Sequence, residues 1–454
     1  MSNFLYSAGG FIVALGILVT VHEFGHFWVA RRLGVKVLKF SIGFGRTIWS
    51  RKSGPDEIEY AVGILPLGGY VKMLDSSEGD VSAAEQGRAF DHQPIWKRTL
   101  VVLAGPGANF LFAIVAYWLV FSIGTQGLRP VIGSVVPDSP AAIAGFQKGD
   151  EIVAINGRPN RSWSDQRLWL FERVLAEQPI VFTVRSPGLA EKELTIRPHN
   201  LSATLADGSV MSRGLGLLPY SPPVPAIVGK VIPGSPAERA GLLTGDRILK
   251  INTVKITEWQ KLQRIVADHP GQPVHLEIGR QGQIIPATLT PERLEIDGKV
   301  IGRVGIQRKS VQIPSDMVVN LRLPVTQALQ KSVETTWLMS ALTLRMMGMM
   351  IMQEVSPKTL SGPLTIAQYA GQTAQIGVQQ FLLFLAVVSV SLGVLNLLPV
   401  PVLDGGHLLY YTAELISGGP LPARVIFWSQ QVGIALLLGL MSLAFYNDIV
   451  RLVQ

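Results

Sequence analysis

The chain has 454 residues, of which 48% are hydrophobic and only 16% charged, against roughly 25% charged in an ordinary soluble domain; with a mean hydropathy of +0.33 this is the composition of a membrane protein. It contains no cysteine, which removes disulfide scaffolds, Cys-ligated metals and thiol nucleophiles, and its average glycine and proline usage removes collagenous and disordered readings. The net charge of +8 resides in Lys and Arg near membrane edges rather than in basic clusters with interleaved aromatics, so it reads as an orientation signal and nucleic acid is not an expected partner.

Crossing about 30 Å of hydrocarbon takes ~20 apolar residues of helix, and four runs qualify. The first covers about residues 4–30. It lacks a basic n-region and an A-x-A site, so it reads as a retained span rather than a cleaved leader. It also carries His22, Glu23 and His26, which are costly in lipid. The segment that follows, 33–97, is rich in Arg and Lys, whereas the stretch before the first span has neither. By the positive-inside bias this segment lies at the cytoplasmic face and the N-terminus outside. Its pieces VKVLKFSI (35–42) and EIEYAVG (57–63), followed by L-G-G-Y-V-K-M (67–73), read as strands of a hairpin.

The second run, about residues 100–123, leads into an insert, about 125–375, on the far side of the membrane. Within it VIGSVVPDSPAAIAGFQKGDEIVAIN, from Val131, recurs 96 residues later as IVGKVIPGSPAERAGLLTGDRILKIN, from Ile227, with half the positions identical. A duplicated unit of about 95 residues is the simplest explanation. Each copy reads as a short helix, a glycine-marked loop and a strand, and S-P-A-x-x-A-G-x-x-x-G-D-x-I-x-x-I-N resembles the PDZ domain, an α+β, partly open β-barrel. That resemblance implies domains at 125–221 and 222–312 with peptide grooves at Val131, Ile132, Gly133 and at Ile227, Val228, Gly229, where an extended peptide adds as a strand. It leaves open whether either unit binds peptide or acts as a steric plug.

Residues 313–376 contain the run WLMSALTLRMMGMMIMQ, with Arg345 inside it. This reads as a Met-rich amphipathic helix in the interface rather than a fifth span. The third span covers about 380–398, a segment broken by Pro399 and Pro401 covers 399–424, and the fourth span covers about 425–445. The fold expected is therefore a polytopic α-helical membrane protein with four transmembrane helices, two inserted domains and a membrane-associated β-hairpin.

His22-Glu23-Phe24-Gly25-His26 is H-E-x-x-H. Helical residues four apart share a face, so both imidazoles reach one ion. Glu23, displaced about 100° around the helix, is placed to take a proton from a water that the ion acidifies and to pass it to a leaving amine. In a soluble helix the motif is weak; inside an apolar span it marks a functional polar site. The third ligand must come from membrane depth. Asp404, in N-L-L-P-V-P-V-L-D-G-G-H (396–407), is the only acidic residue at the junction of the last two spans. Irregular backbone there is tolerated only where protein or a wet cavity surrounds it. Two His and one Asp leave a fourth position open, the pattern of a catalytic zinc site, although this donor set does not by itself select zinc over other divalent ions.

H-E-F-G-H in the first span, N-L-L-P-V-P-V-L-D-G after the third and the tandem repeats between them together resemble the site-2 protease family of intramembrane zinc metalloproteases, over nearly the whole chain. The resemblance implies one Zn2+ per chain on His22, His26 and Asp404, with Glu23 as catalytic acid/base and Asn396 binding unwound substrate. It also implies that the hairpin residues Gly68, Gly69, Tyr70 and Val71 pair with substrate as an added strand. The substrate it implies is a pre-trimmed single-pass membrane protein of the anti-sigma-factor type, with remnant signal peptides also processed. The setting is a bacterial inner membrane, with the N-terminus and PDZ domains periplasmic and the active site near the cytoplasmic side. Ser361-Gly-Pro-Leu-Thr-Ile366 resembles a further family motif, to which no chemistry attaches. His407 reads either as a neighbour of the site or, the favoured reading, as a polar residue at a helix start, and His92, His199, His269 and His275 as ordinary surface residues. The competing class is a non-catalytic membrane scaffold that holds partner C-termini through its PDZ domains; Glu23 argues against it, since a structural metal has no use for a general base. Aspartyl chemistry needs two facing carboxylates, and only Asp404 is well placed.

Overall fold

The computed structural model describes residues 2–76, 79–198, 209–296, 299–310 and 312–453, so His199 lies outside the described residues. Chain order is α1 (Ser2–Arg32), β1 (Val37–Ser53), β2 (Ile58–Met73), α2 (Ile95–Ile123), then an insert containing α3 (Pro140–Ala144), α4 (Arg167–Leu175), α5 (Pro236–Arg239) and α6 (Trp259–Ala267), and finally α7 (Val325–Ile351), α8 (Pro363–Ile376), α9 (Val378–Asn396), α10 (Asp404–Ser417) and α11 (Ala423–Val453). Among the described residues, four helices are long and apolar enough to cross a membrane: α1, α2, α9 and α11. Helix α2 starts a turn before its apolar run, with Trp96, Lys97 and Arg98, side chains suited to a membrane edge.

Small residues set the helix spacing. Ala113, Ala116 and Tyr117 of α2 pack on Ala386, Val390 and Val394 of α9, and Ala14 and Leu18 of α1 pack near Leu385. Apolar side chains gain nothing by leaving lipid for one another, so close backbone approach and interhelical hydrogen bonds carry the association.

Strands β1 and β2 fold back on each other. Residues 37–42 lie between 69–73 on one side and 59–62 on the other, and 47–53 pair with 58–63, so 69–73 forms one outer edge. Phe27 and Ala30 of α1 pack with Val37, Phe40 and Ile58, fixing this sheet against the end of α1 that carries the histidines. Asp56 at its turn is held below the usual carboxylate range by the Arg88 guanidinium, which bonds both oxygens at 2.8 and 2.7 Å.

Beyond α2 the chain leaves and re-enters the membrane region through one ribbon, Thr125–Leu128 antiparallel to Val318–Leu321. The two repeats carry matching elements. Four-stranded sheets hold Arg158–Pro159, Glu151–Ile155, Ile180–Arg185 and Glu191–Ile196 in the first unit, and Val254–Lys255, Arg247–Ile251, Val274–Arg280 and Gln283–Leu289 in the second. A strand pair completes each, Ile132–Val135 with Leu217–Pro219 and Val228–Val231 with Ile306–Arg308. The repeated S-P starts α3 and α5: Ser139 and Ser235 accept from the N–H groups of Ala142 and Glu238, with proline at the first helical position. The repeated G-D supplies a buried carboxylate that closes its own loop. Asp150 accepts from Gln147 N at 3.0 Å and Ser186 Oγ at 2.6 Å, and Asp246 from Leu243 N at 2.7 Å and Arg280 at 2.8 Å. Burial opposes ionisation of Asp246, but the Arg280 guanidinium and the Leu243 N–H outweigh it and hold the carboxyl below its ordinary value.

Helix α7 is not among the four candidate spans. One face of it, Leu342 and Met349 with Leu338 and Met346 alongside, completes the core of the first unit. Arg345 explains itself there: its guanidinium donates to Leu175 O, the last carbonyl of α4, at 2.5 Å, a favourable place for a cation.

The S-G-P-L-T motif also acquires a physical role. Its segment opens α8, whose first N–H groups lack partners within their own helix. The Asp448 carboxylate of α11 supplies them, accepting from Gly362 N and Leu364 N at 2.9 Å, Thr365 N at 3.1 Å and Thr365 Oγ1 at 2.5 Å. Asn447 Nδ2 adds a bond to Pro357 O at 2.9 Å and Arg451 one to Lys358 O at 2.7 Å. Leaving such buried donors without an acceptor costs about 1–3 kcal/mol. Asp448→Ala should therefore lower the thermal midpoint of the detergent-solubilised protein by several degrees, while Asp448→Asn, which keeps one acceptor oxygen, should lose less. Equal midpoints for wild type and Asp448→Ala would remove this cap from the account.

Candidate metal centre

His22 and His26 stand one turn apart on α1, ring centroids 4.8 Å apart and nearly perpendicular, with their Nε2 atoms 3.2 Å from each other. Both rings are set by α2, which runs past α1 in the opposite direction. His26 Nδ1 donates to Val101 O at 2.8 Å, and His22 Nδ1 lies 3.0 Å from the side-chain amide of Asn109. Between these two contacts lies Gly105. A methyl group there would stand 2.9 Å from His22 Cε1 and closer still to His26 Nε2. Across the crossing, a methyl on Gly25 would meet the Ala104 carbonyl and come within 2.8 Å of Ala108 Cβ. The glycine of H-E-F-G-H is thus a packing requirement of the α1–α2 contact.

Asp404 arrives from the other end of the chain. Helix α9 ends at Asn396, and Pro399 and Pro401 have no N–H with which to continue it. The chain turns through Val402 at φ +87°, a conformation a β-branched residue rarely adopts and one that costs about 1–3 kcal/mol. It then starts α10 with Asp404 as first helical residue, where the helix dipole favours a carboxylate. Helix α10 is anchored to α2 by Arg98, which donates to Glu414 Oε2 at 2.7 Å and lies over the Tyr411 ring at 4.8 Å. Tyr410 and Ser429 join their hydroxyls at 2.7 Å between α10 and α11.

The result is a triangle of donors, and His22, His26 and Asp404 form a group able to hold a metal ion. Asp404 Oδ2 lies 3.2 Å from His22 Nε2, and Oδ1 3.5 Å from His26 Nε2. Ligands about 2.05 Å from a tetrahedral zinc are about 3.3 Å apart, so the spacing fits such an ion. The chemistry fits as well. Two imidazole nitrogens and a carboxylate face one another, and Asp404 Oδ2 is buried without a hydrogen-bond partner, an arrangement that a shared cation satisfies.

Glu23 follows His22 on α1, half-buried, beside the outer edge of the β1–β2 sheet. A methyl on Gly69 would lie 3.0 Å from Glu23 Cγ, 2.9 Å from Val19 Cγ1 and 2.7 Å from Ser41 O. Gly68, Gly69, Tyr70 and Val71 therefore lie on the edge segment that borders Glu23, with Gly69, Tyr70 and Val71 paired on their inner side to Ile42, Ser41 and Phe40. Asn396 is half-buried at the last position of α9. His407 packs its ring against Tyr410 and Tyr411 and is not one of the three grouped donors. Val131, Ile132 and Gly133 lie far along the chain from this centre in the first inserted unit, where Ile132 is fully buried. Val131 and Ile132 line a pocket there with Lys148, Gly149 and Arg185; in the second unit Val228 pairs with Arg308, and a groove opens between Trp259, Leu262 and Val266 of α6 and the segment Gly302, Val304 and Ile306. Neither Gly105 nor Asn109 belongs to a metal motif; the signal for them is a Gly-Pro pair and an amide, four residues apart, in an otherwise apolar span.

The model of a family described as Peptidase family M50 matches residues 10–440. The chain is 42% identical to the regulator of sigma-E protease RseP of Escherichia coli strain K12, over 100% of both chains. It is 43% identical to a putative zinc metalloprotease of Vibrio cholerae, again over 100% of both, and 39% identical to the regulator of sigma E protease of Haemophilus influenzae, over 99% of this chain and 100% of that one.

Asp404→Ala and His22→Ala should each lose bound divalent metal, as read by elemental analysis of the purified protein. Gly105→Ala should lose it as well, although no donor is altered. Full metal occupancy in Gly105→Ala would show that the two imidazoles do not depend on the bare turn of α2.

Proposed function

The chain belongs to peptidase family M50, and from that membership we propose that it is an intramembrane zinc metalloprotease, a metalloendopeptidase that hydrolyses a peptide bond within the transmembrane segment of another membrane protein. The observation that carries this reading is the convergence of His22, His26 and Asp404 at apolar helices, with Glu23 beside them. His22, His26 and Asp404 would hold the ion, which when bound would supply Lewis-acid polarisation of the scissile carbonyl. Glu23 takes a proton from the attacking water and later passes it to the leaving amine.

A transmembrane helix hides its peptide bonds inside its own hydrogen-bond ladder, so a protease acting on it must unwind it and satisfy the freed groups elsewhere. The outer edge at Gly68, Gly69, Tyr70 and Val71 offers unpaired backbone next to Glu23, suited to adding the unwound segment as a strand. Asn396 offers one further donor and acceptor. An apolar groove along α1, lined by Val13, Gly16, Ile17, Thr20, Val21 and Ile42, leads toward this edge and suits an incoming apolar helix. The β1–β2 sheet is thus read as a membrane-associated hairpin, and α7 as an interfacial helix.

The two inserted units are read as PDZ domains on the periplasmic side of a bacterial inner membrane, with the N-terminus on that side and the metal centre near the cytoplasmic face. Set above the membrane, they act as a filter that admits single-pass proteins already trimmed of bulky ectodomains. The relatives' names tie them to sigma-E regulation, which favours a substrate of the anti-sigma-factor type; remnant signal peptides have the same trimmed form.

The test is cleavage of a fluorescent single-pass transmembrane peptide by the detergent-solubilised protein. Wild type should cut inside the apolar segment. Glu23→Gln should keep its zinc and lose about 10²-fold or more of the rate, and chelator should abolish cutting. Retained turnover in Glu23→Gln would remove Glu23 from its role. No cleavage of a peptide panel, with peptide C-termini still captured by the inserted units, would make the protein a scaffold. Removing residues 127–312 should widen substrate choice and leave hydrolysis intact; a folded but inactive deletion would defeat the filter.

A further inference from the structure

A histidine ligates a metal through an unprotonated ring nitrogen, so its other nitrogen must carry the proton and needs an acceptor. For His26 that acceptor is Val101 O, 2.8 Å from Nδ1, which leaves the Nε2 lone pair directed at His22 and Asp404. For His22 the partner of Nδ1 is Asn109, whose Nδ2 lies 3.0 Å away. With the amide nitrogen donating there, the His22 proton would sit on Nε2, facing the His26 lone pair 3.2 Å away, and His22 could not ligate. Asn109 Oδ1 is meanwhile left buried with no hydrogen-bond donor, on a side chain with no solvent exposure. The two ends of an amide occupy nearly the same space, and a half-turn gives Oδ1 the donor it lacks, His22 Nδ1–H.

We propose that Asn109 is the positioning residue for the first metal ligand: its side-chain carbonyl accepts the Nδ1 proton of His22 and thereby fixes the tautomer that presents Nε2 to zinc. This rests on the zinc reading above and deepens it. The placement follows from helix geometry. Val101, Gly105 and Asn109 are spaced four apart on α2 as His22 and His26 are on α1, so one face serves both rings, with a backbone carbonyl for His26, bare backbone between, and a side-chain carbonyl for His22. Asn109 is itself held in depth, because its backbone carbonyl accepts from the buried Ser389 Oγ of α9 at 2.8 Å. A buried asparagine that only joined helices would have no need to aim at a ring nitrogen.

The experiment is chelator competition for zinc on the full-length, detergent-solubilised protein, with the thermal midpoint of the zinc-free form measured in parallel and Co2+ absorption as a report of ligand geometry. Asn109→Leu, of similar size but without an acceptor, should bind zinc about 10–100-fold more weakly, with its zinc-free midpoint near wild type and an altered Co2+ spectrum. Asn109→Asp, which retains an acceptor oxygen, should restore zinc affinity to at least the wild-type level. Wild-type affinity in Asn109→Leu, or Asn109→Asp as weak as Asn109→Leu, would overturn the proposal. Asp404→Ala separates the two readings. If it loses zinc while Asn109→Leu keeps it, this positioning role alone falls; if Asp404→Ala keeps zinc, the metal reading falls and takes this proposal with it.

Discussion

Everything at this centre depends on how closely α1 and α2 approach. Two imidazoles in a helix of apolar residues need room, acceptors for their second nitrogens, and exclusion of lipid. The crossing supplies the room by removing side chains: Gly25 lets α1 touch the Ala104 backbone, and Gly105 leaves a bare turn of α2 against both rings. In hydrocarbon such proximity is also a source of stability, since helix association rests on packing and hydrogen bonds rather than on burial from water. The same glycines therefore serve assembly and chemistry, and neither use is separable from the other.

The third donor is placed at a different kind of expense. A regular helix through residues 396–404 would carry Asp404 past the histidines; two prolines stop it, and Val402 takes a backbone conformation that strains a β-branched residue. Helix α10 beyond it is held from two sides, against α2 by the Arg98–Glu414 ion pair and against α11 by the hydroxyl pair of Tyr410 and Ser429. A carboxylate delivered on a fixed helix start, rather than on a mobile loop, keeps its distance to the two rings.

Much of the candidate site was readable because its signals are local or costly. Histidines four apart on a helix share a face whatever the tertiary structure, and a lone carboxylate beside two prolines at membrane depth is too expensive to be incidental. The four apolar runs carry their own length argument. What was not readable is complementarity between distant segments. Nothing near Ser361 in sequence shows that its motif waits for Asp448 of α11. Arg345 argues against a fifth span, but its partner at the end of α4 is a tertiary fact. Strands β1 and β2 look like a simple hairpin until residues 39–42 are seen pairing on both sides. Asn109 is one polar residue in an apolar run until the second nitrogen of His22 is found opposite it.

The matched spacing on α1 and α2 makes the centre a vernier. Val101, Gly105 and Asn109 meet His26 and His22 in only one register. A slide by a single turn, about 5.4 Å, would part His22 from Asn109 and His26 from Val101. A bilayer that thickens or thins is answered by helices that tilt or kink, or by deformation of the lipid around them. Here a change of tilt in one helix alone would part these contacts, so α1 and α2 tilt together as one body. The interlock thus holds the two imidazoles in one arrangement across membranes of different thickness.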